Sequence, residues 1–157
     1  MGSLGDFFPD GIRQQAVDAT LAPGCVIYWH CNFTTPPKQK FLVVVCCEPS
    51  FLVLIINSEI NQFIQSKPHL LNCQVPISQA EHAFLNWDSF VNCIEAHKSI
   101  TLNDVKDAVI ADFSHVSRGR LSEGCIADVI KAVEQSPTMP RREKEWIIAS
   151  LTPLVTK

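Results

Sequence analysis

The sequence predicts an α+β domain, an antiparallel sheet or small barrel of about five strands with helices packed on it. Three observations carry this. First, two apolar runs, Phe41–Cys47 and Phe51–Ile56, flank Glu48-Pro49-Ser50. Val43, Val44, Val45, Val53, Ile55 and Ile56 are β-branched and suit a pleated, packed surface. Pro49 cannot donate to a strand ladder, so the break reads as the turn of a hairpin. Second, neither run alternates with polar residues, so both faces of the hairpin are covered and it sits at the centre of the sheet. Third, clear helical periodicity arrives late, after Leu102.

The elements follow in order. Asp10–Thr20 carries Ile12, Ala16 and Val17 at helical spacing and predicts a short first helix capped by Asp10. Leu21-Ala22-Pro23-Gly24 ends it. Cys25–Cys31 is rich in β-formers and predicts the first strand. Asn32–Gln39, with Pro36 and Pro37, is a polar loop into the hairpin, a kind of segment that often carries function. In Ser58–Ser66, Ile60, Phe63 and Ile64 suggest a helical turn capped by Ser58. Leu70–Ile77 reads as a strand, Gln79–Phe84 as a short helical piece, and Ser89–His97 as an alternating strand. Asn103 caps a turn over 104–113. Ser122–Gln135 is the clearest helix, with Ile126, Val129, Ile130 and Val133 as its stripe. Thr138 caps a last helix from Pro140 to Leu151. The chain is expected to be one domain over 1–157, the sheet in 23–100 and the helical part in 102–152.

Composition narrows the function classes. The chain has 157 residues, of which 46% are hydrophobic and 18% charged, so it folds rather than remaining disordered. Its apolar runs fall far short of the roughly 20 residues needed to span a bilayer. The N-terminus lacks a basic segment and a long apolar segment, so a cytoplasmic location without a membrane partner is expected. The net charge of −3 argues against bulk electrostatic binding of nucleic acid and leaves room for a local basic patch. The seven cysteines, at 25, 31, 46, 47, 73, 93 and 125, are odd in number and form no CxxC pair. They are expected to be small buried hydrophobes. Adjacent Cys46 and Cys47 point to opposite faces of a strand, and zinc spacing is lacking, so neither metal nor cofactor is expected. No phosphate-binding or dinucleotide loop is present.

Pro23-Gly24-Cys25-Val26-Ile27-Tyr28-Trp29, the strand opening Lys40-Phe41-Leu42-Val43-Val44-Val45, Asp88-Ser89-Phe90-Val91, and Arg120-Leu121-Ser122 before a helix together resemble the PemK/MazF family. These are the toxin halves of toxin–antitoxin pairs, and the resemblance runs from Pro23 to Val133. It implies a small antiparallel SH3-like β-barrel with a C-terminal helix, to which the periodicity above adds the short N-terminal helix and the further C-terminal helices. It also implies a homodimer, an antitoxin partner, and action on single-stranded RNA as a metal-independent endoribonuclease. Cys25 stands where the family has an acidic residue, and Lys40 where it has a catalytic arginine. Ser58 is nearest to the expected threonine.

Metal-free RNA cleavage needs a base, a cation for the developing phosphorane charge and an acid. The resemblance gives Lys40 and Ser58 the catalytic roles. Around the hairpin, His30 and Lys38 are candidates for substrate binding, although His30 lies in an apolar strand that equally suits a structural histidine. Arg118 and Arg120 form the densest basic point before the last helix and could hold RNA phosphates or an acidic partner. Two other classes stay open. One is a non-catalytic interaction module on the same barrel. The other is a cysteine nucleophile, Cys31 or Cys93 with His97 or His82, although no Gly-rich oxyanion turn accompanies it.

Overall fold

A computed structural model describes Val17 and residues 21–155. The expected helix over 10–20 lies, apart from Val17, outside the described residues. The chain forms β1 (Cys25–Cys31), β2 (Lys38–Cys46), β3 (Leu52–Asn57), α1 (Gln62–Gln65), α2 (Pro68–Leu71), β4 (Gln74–Ile77) and β5 (Ser89–Asn92). It continues with α3 (Leu102–Ala111), α4 (Phe113–Val116), β6 (Ser117–Arg120), α5 (Glu123–Gln135) and α6 (Arg141–Val155). The six strands form one antiparallel sheet in the order β4-β5-β3-β2-β1-β6, curled into a half-barrel. The mixed α+β class and the central place of the hairpin are as the apolar runs predict.

Alternation along β2 and β3 feeds two separate cores. Val43, Val45, Leu52 and Leu54 pack with Val129, Val133, Ile147 and Leu151 of α5 and α6. Leu42, Val44, Val53 and Ile55 pack with Val105 and Val109 of α3 and Val116 of α4. From Leu42 to Cys46 and from Leu52 to Ile56 the central strands are thus apolar at every position, because side chains on either face enter a helix-covered core.

Several local expectations are corrected. The cap at 58 fails because Asn61, not Ser58, accepts from the Ile64 N–H, at 2.8 Å. The run 70–77 divides because Pro68 sits at the start of a helical turn, and only Gln74–Ile77 is strand. Residues 79–84 are turns rather than helix. The strand at 89 stops at Asn92, and His97 returns as an isolated bridge to Val53. Thr101, not Asn103, caps α3 through the Asp104 N–H. The last helix begins one residue later and runs on to Val155. Arg118 and Arg120 lie in β6, a strand inside the stretch expected to be helical, where β1 pairs with them. The helix expected over 122–135 is present as α5, and Ser122 is its cap, accepting from the Cys125 N–H at 3.2 Å.

Two features fix the segment between β4 and β5. His82 is 3% exposed; its Nε2 accepts from the Ser122 N–H at 3.0 Å, so Nδ1 donates to the Ser78 carbonyl at 2.8 Å. The ring ties residues 78–88 to the start of α5. Phe84 lies over Gly119, where a Cβ would stand 2.8 Å from the ring, so only glycine admits this approach.

Candidate functional site

The site forms where β2 and β3 run out of apolar residues. In register, Trp29 of β1 lies opposite Lys40 of β2, and Leu42 opposite Ile55 of β3. Lys40 Nζ donates to Asn57 Oδ1 at 2.8 Å. Its ammonium is held below the ordinary lysine pKa, first because burial strips its water and then because Lys38 carries a like charge; Cys31 opposes the shift.

Two cavities meet at Lys40 and Ser58, which line both. The smaller, near 170 Å³, has an aromatic wall of Tyr28, Phe41 and Trp87, with Ser89 at its edge. Trp87 is 60% exposed. A column of rings supports this wall: Phe84 packs edge-on to Phe41 at 5.5 Å, and Phe41 lies 5.0 Å from Tyr28. The larger cavity, near 330 Å³, is polar and is lined by Lys38, Asn57, Glu59, Asn61, Gln74 and Asn92. The groove thus offers stacking surface on one side, amides on the other, and lysines between.

Of the residues singled out from sequence, Lys40, Ser58 and Lys38 come together here. The other three do not line it. Arg118 stands behind the aromatic wall, its guanidinium 4.7 Å from the centre of the Tyr28 ring and its Nε donating to the His115 carbonyl at 2.7 Å. Arg120 is exposed on β6 opposite Cys25. His30 lines a separate cavity with Trp29, Asn32, Phe33, Ser99, Ile100 and Asp104.

Sequence reasoning passed over Asn57, Glu59, Gln74, Trp87 and Asn92. A signal existed for some of them. Asn57 and Asn92 end apolar strands, and Trp87 sits between Asn86 and Asp88, an unusual setting for a core tryptophan.

The cysteines do not join the groove. Cys25, Cys31, Cys46, Cys73, Cys93 and Cys125 are buried, and Cys47 is half-buried. Burial pushes the Cys125 thiol up to about 12 and the Cys47 thiol up to about 11, and raises Cys93 as well. A nucleophile needs the opposite shift, so this environment works against the thiolate. Among the described residues no three His, Cys, Asp or Glu side chains gather as a metal-binding group. No helix among them is long and apolar enough to cross a membrane.

No family model, curated protein or solved structure matches the chain.

Proposed function

We propose that this chain acts on single-stranded RNA in the manner of a PemK/MazF-like toxin, with the Lys40–Ser58 groove as its binding site. The observation that carries the reading is Lys40 itself. It is a half-buried cation, held by Asn57, between an aromatic wall and an amide wall. Single-stranded nucleic acid asks for these parts: a cation for the phosphate and rings on which bases stack. In cleavage, the Glu59 carboxylate takes the 2′-hydroxyl proton as the 2′-oxygen attacks phosphorus, Lys40 stabilises the developing phosphorane charge, Ser58 positions the phosphate by hydrogen bond, and the P–O5′ bond breaks as the leaving 5′-oxygen takes a proton from water. Arg120 contacts the strand beyond the groove and Arg118 adds positive potential behind Tyr28, whereas His30, in its separate cavity beside Trp29, stays outside the RNA site.

The SH3-like character of the half-barrel, the homodimer, the antitoxin partner and a cytoplasmic setting belong to the same proposal. Sedimentation at micromolar concentration should show a dimer; a species of 17.5 kDa alone counts against it.

The test is a binding and cleavage assay on a long single-stranded RNA, with EDTA present, for wild type and Lys40→Ala. Loss of a preorganised charge contact should lower cleavage by about 10²–10³, with weaker binding and an unchanged melting temperature. Equal binding and cleavage by both proteins would remove Lys40 from its role. If the wild type neither binds nor cleaves, the non-catalytic interaction module is the better account. The exposed Trp87 ring beside the groove favours that second reading, because aromatic residues are enriched where proteins dock.

A further inference from the structure

Gln74 of β4 lies opposite Asn92 of β5, and their side-chain amides touch. Gln74 Nε2 donates to Asn92 Oδ1 at 2.9 Å, and the backbone N–H of Ile94 donates to the same oxygen at 3.1 Å. A backbone N–H can only donate, so the atom it meets must be the oxygen. Both amide orientations follow. Asn92 Nδ2, with two N–H donors, and Gln74 Oε1, an acceptor, are turned away from this contact. Neither has a partner among the described residues. Gln74 is 8% exposed and Asn92 half-buried. Buried amide atoms are ordinarily paired. Both residues line the polar cavity that also holds Lys38 and Lys40.

Resting on the RNA reading above, we propose that Gln74 and Asn92 read the hydrogen-bonding edge of one unpaired nucleobase. Gln74 Oε1 accepts a base N–H, and Asn92 Nδ2 donates to the adjacent ring nitrogen or carbonyl. Asparagine and glutamine amides pair with base edges in this donor–acceptor way. A backbone phosphodiester has only acceptor oxygens at neutral pH and gives Gln74 Oε1 nothing. A duplex has this edge already occupied, so the site selects single strands. Lys38 and Lys40 then hold the phosphate of the same nucleotide.

The test uses the full chain and a mixed-sequence single-stranded RNA at saturating protein. Dimethyl sulfate probes adenine N1 and cytosine N3, and a carbodiimide probes uracil N3 and guanine N1. At least one nucleotide should fall to background reactivity at its pairing edge. Asn92→Asp keeps the Oδ1 acceptor for Gln74 and Ile94 but removes the donors. It should restore that reactivity and weaken binding by about tenfold. Binding with every pairing edge still reactive overturns the proposal and leaves the RNA reading standing. So does unchanged protection in Asn92→Asp. No binding by the wild type fails the RNA reading and the proposal with it. If a melting curve shows that Asn92→Asp does not fold, protection in the wild type alone decides.

Discussion

The two ends of the β2–β3 hairpin differ sharply in what covers them. From Leu42 to Cys46 and from Leu52 to Ile55 every residue is buried, and alternate side chains enter two helix-covered cores. Two residues further along β2 and past Ile56 on β3, the same strands present Lys40, Lys38, Asn57 and Ser58 to open cavities. At the open end β2 stays paired with β1 and β3 with β5, so the difference lies in what covers the sheet. Where helices lie on both faces, only apolar residues survive. Where helix cover ends, the rigid strands become a platform for polar side chains. Lys40 marks the boundary: it is dry enough for its pKa to fall and wet enough to stay useful.

The largest expected effect breaks the closed end. Val44 is fully buried, so Val44→Asp places an unpaired charge in the core between the sheet and α3–α4. It should cost more than about 4 kcal/mol and unfold the domain. Lys40→Ala at the open end should cost less than about 1 kcal/mol. Comparable denaturant midpoints for the two variants would erase the distinction between the ends.

A smaller effect reads the closed core through its thiols. Cys25, Cys73, Cys93 and Cys125 have pKa values raised above 9.0, first by burial. The folded state therefore holds these protons where the unfolded chain has lost them. The stability they contribute is whole below about pH 9 and is lost as pH rises from there toward their raised values. Lys40 has the opposite sign, because its lowered pKa adds stability as pH rises, but it is one half-buried group against several buried ones. Denaturant midpoints should therefore fall between about pH 8 and about pH 10.5. Thiol reagents should label the native protein slowly and the unfolded chain fast. A single fast native thiol would reopen cysteine chemistry.

The closed end was legible in the sequence and the open end only in part. Runs such as Phe41–Cys47 announce themselves because burial on both faces removes every polar residue. The stripe of α5 was legible because periodicity is local. β6 was not, since Ser117-Arg118-Gly119-Arg120 has no apolar residue and becomes strand only by pairing with β1. Lys40, Lys38 and Ser58 lie close in sequence to the hairpin and were found together. Gln74 and Asn92 reach the same cavity through the pairing of β4 with β5 and the place of β5 beside β3, which no local spacing encodes.

The open end of the hairpin is the RNA site we propose. The direct measurement is a titration of isotope-labelled protein with a single-stranded RNA, followed by the side-chain signals of Trp87, Asn57, Gln74 and Asn92 together with the Trp29 indole. The groove signals should shift and saturate together while Trp29, which lines the His30 cavity, stays still. Saturating shifts at Trp29 with silent groove amides, or no shift anywhere, would contradict it.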